Sequence, residues 1–124
     1  MNQNIINKYQ IRFENKVFDF ETGKEIHKSI STNNGELTTF LNDWTAPKIN
    51  ELLLPDFEEA MANPETEVEN GSETISISIY ADKVDFYDND FNYVGNIPTQ
   101  EFKEIVIGWR DFLNTPPLNG TKMS

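Results

Sequence analysis

From Phe102 to Leu113 the chain sets Phe102, Ile105, Val106, Trp109, Phe112 and Leu113 at i, i+3, i+4, i+7, i+10 and i+11, the spacing of one apolar stripe along an α-helix. Thr99 stands where a cap is needed, Glu101 complements the positive end of the helix dipole, and Pro116-Pro117 stops the helix. A stripe carrying a Trp and two Phe must be covered by another element. Residues 75–80 supply the cover, because Ile75, Ile77 and Ile79 alternate with Ser76, Ser78 and Tyr80 in the period-two pattern of a strand with one buried face.

That strand opens a three-stranded antiparallel meander. Ala81-Asp82-Lys83 reads as a turn into a strand over 84–87, Asp88-Asn89-Asp90 as a turn into a strand over 91–94, and Gly95-Asn96 ends the sheet. Near the N-terminus Tyr9, Ile11 and Phe13 alternate with polar residues. Val17, Phe18 and Phe20 follow the turn-like Glu14-Asn15-Lys16, so a hairpin is expected, closed by Thr22-Gly23. Residues 24–34 are ambiguous: Ile26 and Ile30 fit a third short strand, and Thr32 to Gly35 a loop.

From Glu36 the period becomes helical, with Leu37, Phe40, Leu41 and Trp44 on one face and Asn34 as the cap. Pro47 ends or kinks this helix. Ile49, Leu52 and Leu53 give another turn or two, Pro55 interrupts again, and Phe57, Ala60 and Met61 form a short third segment with Glu58 and Glu59 on its wet side. Residues 63–73 hold four acids, a Pro, a Gly and a single Val, and read as an exposed loop. The fold class is therefore α+β: an antiparallel sheet (N-terminal hairpin plus three-stranded meander) packed by a broken central helical region and a C-terminal helix. At 124 residues the chain has the size of one domain, assigned to 1–117, with a disordered tail over 118–124.

The net charge of −11 is not spread evenly. Residues 51–90 hold twelve acids and one base, Lys83, which accounts for the whole excess, and the rest of the chain is neutral. Such a one-sided field disfavours nucleic acid and anionic membranes and steers a basic partner. With no cysteine, disulfides and thiolate metal sites are excluded. The first thirty residues hold no apolar signal region and no stretch is long and apolar enough to span a bilayer, so a cytoplasmic location is expected.

Catalysis finds little support in the residues. The single histidine, His27, has no nucleophile near it in the sequence, and the six glycines never form a phosphate-cradling pattern. Asp85, Asp88 and Asp90 lack the spacing, the sixth-position Gly and the twelfth-position Glu of a calcium loop. No enzyme, cofactor or metal is expected. Phe86 and Tyr87 are consecutive on a strand, so one of them points away from the isoleucine face, beside Asp85 or Asp88. Tyrosine flanked by carboxylates suits the Lys and Arg side chains of a protein partner. The expected partner-binding set is Asp82, Asp85, Tyr87, Asp88 and Asp90, with Tyr80 and Tyr93 on the same face, together with Glu58 and Glu59 on the wet side of the short helical segment.

The order of elements, the acidic middle, and the closing runs Ile97-Pro98-Thr99-Gln100-Glu101-Phe102-Lys103-Glu104-Ile105 and Trp109-Arg110-Asp111-Phe112-Leu113 resemble small immunity proteins of bacterial polymorphic toxin systems, including contact-dependent growth inhibition. The resemblance implies binding and neutralising a cognate toxin domain, often a nuclease, in the cytoplasm. Immunity proteins have many unrelated folds, so it assigns no individual binding residue. A non-catalytic ligand-binding or adaptor domain with an acidic surface is the alternative.

Overall fold

A computed structural model describes residues 1–116 and 122–123. The chain runs α1 (Gln3–Tyr9), β1 (Arg12–Phe20), β2 (Gly23–Ser31), α2 (Gly35–Asn42), α3 (Ala46–Lys48), a π-helical turn (Ile49–Leu53), α4 (Leu54–Ala62), β3 (Val68–Gly71), β4 (Ser76–Ile79), β5 (Lys83–Tyr87), β6 (Tyr93–Pro98), α5 (Thr99–Leu113) and β7 (Lys122–Met123). The fold is α+β, with the strands divided between two sheets. One has the order β3-β4-β5-β6, all antiparallel; the other has the order β1-β2-β7.

The α5 stripe packs as its spacing requires. Phe102, Ile105, Val106 and Trp109 are buried in one core with Ile77, Ile79, Val84, Phe86 and Ile97 of the four-stranded sheet, Trp109 stacking on Phe13 of β1 at 6.0 Å. The Phe102 and Phe86 rings lie 5.2 Å apart, and Phe57 of α4 meets Phe102 edge-on at 5.3 Å. Trp109 is 1% exposed, and its indole N–H donates to the Leu41 carbonyl at 2.8 Å, which satisfies the one polar atom that a buried Trp brings with it.

The two prolines of the central region start helical segments. Pro47 occupies the first turn of α3, where Thr45 caps the chain by accepting from the Lys48 N–H, and Pro55 occupies the first turn of α4. Proline lacks an N–H that would be unpaired there in any case. The wider π-helical turn at Ile49–Leu53 carries the chain into Pro55 while Ile49, Leu53, Phe57 and Ala60 all stay buried.

Five local expectations are corrected. Residues 3–9 form a helix, because Asn2 caps it and Ile5 and Tyr9 bury at i and i+4; Tyr9 is therefore helical. Glu14-Asn15-Lys16 lies inside β1, and the hairpin turns at Glu21-Thr22, with Gly23 at φ +130. That makes 23–31 a full strand. Val68–Gly71 is a strand, and the supposed loop pairs with β4 from Val68↔Ile79 to Gly71↔Ser76. Gly95, at φ +135, lets β6 bulge and continue to Pro98: Phe86 pairs with Gly95 and Tyr87 with Tyr93. Thr99 does not cap α5 with its side chain; its hydroxyl donates to the Tyr80 carbonyl at 2.6 Å, tying the helix start to the β4–β5 turn. Of the tail, residues 118–121 and 124 lie outside the described residues, while Lys122–Met123 pairs in parallel with β2.

Candidate functional site

The face of the four-stranded sheet opposite α5 is set by strand periodicity. The register aligns Glu69, Ser78, Asp85 and Asn96 in one row across β3 to β6, with Ser76, Tyr87 and Tyr93 in the next row. Tyr87 does point away from the isoleucines and Tyr80 shares its side, as the alternation requires, and the bulge at Gly95 brings Tyr93 to that side as well. The Tyr87 and Tyr93 rings meet edge-on at 6.0 Å, and Asn96 Nδ2 donates to the Tyr93 hydroxyl at 2.7 Å. Glu67, one residue before β3, accepts from Ser78 Oγ and Tyr80 Oη, each at 3.0 Å. The carboxylate raises the Tyr80 phenol pKa, chiefly through that hydrogen bond.

Between these elements lies a concavity of about 340 Å³, bounded by Glu67 and Glu69 on one side and by Tyr87 and Phe91 on the other, with Ser76 and Ser78 on its floor. Phe91 is 77% exposed and sits at φ +61, a left-handed conformation that costs a non-glycine residue about 1–2 kcal/mol. Sequence reasoning missed Phe91, by reading it as the start of a strand, and Glu67 and Glu69, by placing them in a loop. The available signal was Val68 alone between two glutamates, the alternation of a short edge strand.

The expected acidic cluster does not converge. Asp82 is exposed in the β4–β5 turn, whereas Asp88 and Asp90 lie in the β5–β6 turn at the other end of β5. Asp88 holds its own turn: Oδ1 accepts the Asp90 and Asn92 amides, both at 2.9 Å, and the Asn92 amide is the main reason its pKa is lowered. Asp85 is buried, 7% exposed, with Lys83 Nζ 3.4 Å from Oδ1 and no hydrogen bond to that oxygen among the described residues. Its side chain is 10% exposed, so little of it is open to a partner. Glu58 and Glu59 are exposed on α4, on the opposite side of the sheet from Tyr87, and Glu58 is paired with Lys103.

Among the described residues no group of three or more His, Asp or Glu side chains is placed to hold a metal. His27 packs edge-on against Phe18 at 4.7 Å with Glu25 3.5 Å away. No helix is long and apolar enough to cross a membrane among the described residues. Comparisons with protein-family models, with curated proteins and with solved structures returned no match.

Proposed function

We propose that this chain is an immunity protein that binds and neutralises a basic toxin domain, a nuclease being the best fit, in the cytoplasm of the cell that makes it, without catalysis. The supporting observation is the pairing of carboxylates with aromatics around one concavity: Glu67, held by Ser78 and Tyr80, and Glu69 lining it with Tyr87 and Phe91. A nuclease cleft offers Lys and Arg side chains arranged for phosphates. Carboxylates take the place of phosphates in charge-assisted hydrogen bonds, and aromatic faces stack on guanidinium groups. The excess of acid over base in residues 51–90 accelerates the encounter at a distance.

The test is a calorimetric titration against the toxin domain encoded beside this chain's gene, with growth rescue measured in parallel. Tight binding that is lost in Phe91→Ala and in Glu67→Lys/Glu69→Lys supports the reading. A gene with no toxin beside it, or a purified pair that does not associate, overturns it. A ligand-binding or adaptor domain is the second reading, favoured by the concavity itself, whose size is that of a small-ligand site. Saturable binding of a small cationic ligand there, with no protein partner, selects that reading.

A further inference from the structure

Strand β1 is an unpaired edge among the described residues. In the order β1-β2-β7 no strand pairs with its outer side among the described residues, whereas β2 carries β1 on one side and Lys122–Met123 on the other. Natural proteins blunt such edges by shortening, bending or breaking them. β1 is nine residues long, pairs with β2 without a register shift, and contains neither proline nor glycine. It also shows apolar surface to water: Val17 is 44% exposed, Phe18 43% and Phe20 51%.

Charge decides which occupant fits. A molecule carrying −11 repels its own copy, but the excess lies in residues 51–90, and the hairpin over 12–31 carries four bases and four acids. A two-fold axis normal to the sheet pairs β1 with a second β1 in antiparallel fashion, and only certain registers are tolerable. An axis through Lys16 sets the two lysines against each other. An axis through Glu14 opposes the two glutamates and places Arg12 on Lys16. An axis through Asn15 places Glu14 opposite Lys16 of the second copy, twice. It also sets Arg12 against the exposed Phe18 ring and covers Val17 with Phe13, the ring that already stacks on Phe112 at 5.0 Å.

We propose that β1 pairs with β1 of a second copy across a two-fold axis through Asn15, joining the two hairpin sheets into one. The charges that would guard a lone edge become cross-strand ion pairs in this register. The surface belongs to a different sheet from the acidic concavity and does not depend on the proposed function.

The full chain is expected to sediment as a concentration-dependent dimer. Lys16→Glu, which sets like charges opposite each other in both pairs, weakens the dimer by roughly 10- to 100-fold, and Glu14→Lys/Lys16→Glu restores it. The chain has no cysteine, so Asn15→Cys alone gives an interchain disulfide on mild oxidation. Asp19→Cys, about 27 Å from its own copy in this register, does not. Circular dichroism confirms that each variant is folded. A monomer at every concentration up to about 1 mM overturns the proposal. So does a dimer unaffected by Lys16→Glu, or one that cross-links through Val17→Cys and not through Asn15→Cys.

Discussion

Tyr9 Oη donates a 2.6 Å hydrogen bond to Glu101 Oε1, joining the buried end of α1 to the first turn of α5 across the length of the chain. Lys8 Nζ reaches the same oxygen at 2.9 Å. The phenol first, and then Lys8, hold the Glu101 pKa below its ordinary value of 4.5. Burial first, and then the bond to Glu101, push the Tyr9 pKa above its ordinary 10.0. The Glu101 contribution is complete above its unfolded value and fades as pH falls through the lowered one. The Tyr9 contribution is complete below its unfolded value and fades as pH rises above it. Tyr9→Phe should cost about 1.5–3 kcal/mol near neutral pH, towards the lower figure because Glu101 is partly exposed. It should also flatten both arms of the stability curve. Denaturant melts between acid and alkaline pH check this, and a variant that keeps the wild-type acid arm would show that the bond contributes nothing.

Trp109→Phe removes the donor to the Leu41 carbonyl and leaves a void beneath α5. The expected loss is about 2–4 kcal/mol, read as a lower denaturation midpoint at unchanged m-value. A loss below about 0.5 kcal/mol would mean that Phe13 and Phe112, which stack on Trp109, refill the space.

Phe91→Asn puts a residue that tolerates the left-handed conformation where a strained ring now stands. Stability should rise by about 0.5–1 kcal/mol, a few degrees in Tm, while partner binding is lost. A calorimetric scan and a binding titration on the same sample decide it. A fall in Tm would show that the ring is held by packing.

Charge reversal separates the two ends of the sheet. Glu69→Lys should abolish partner association and leave Tm within about 2 °C, since Glu69 is exposed. Glu67→Lys should add a stability loss of about 1–3 kcal/mol because Glu67 also accepts from Ser78 and Tyr80, whereas Asp82→Lys should reduce the association rate only modestly. The wild-type rate should fall as salt shortens the Debye length from about 10 Å to about 3 Å. A rate indifferent to salt would assign the interface to the aromatics alone.

Asp85→Lys is expected to unfold the protein, at a cost of about 3–5 kcal/mol, because it buries a lysine next to Lys83. If this variant folds with wild-type Tm, the side chain at 85 has a route to solvent.

The strongest periodicities were legible. The α5 stripe, the Ile75-Ile77-Ile79 face and the Asn34 cap all stand where the spacing put them, because burial of one face over several turns or alternations outweighs local noise. The short and the ambiguous were not. β3 carries one apolar residue and exists because β4 offers it a ladder, and the two central prolines read as breaks although each begins a helical segment.

By itself the sequence determined that one apolar helix stripe needs cover, that the excess charge is acidic and confined to residues 51–90, and that Phe86 and Tyr87 point to opposite faces of their strand. Each of these follows from composition or from a repeat within a single element. Which acids meet which aromatics was decided only by tertiary structure. Strand pairing brings Glu67 and Glu69 beside Tyr87 and Phe91, buries Asp85, and parts Asp82 from Asp88. Register between strands depends on partners distant in sequence, and no local spacing records it.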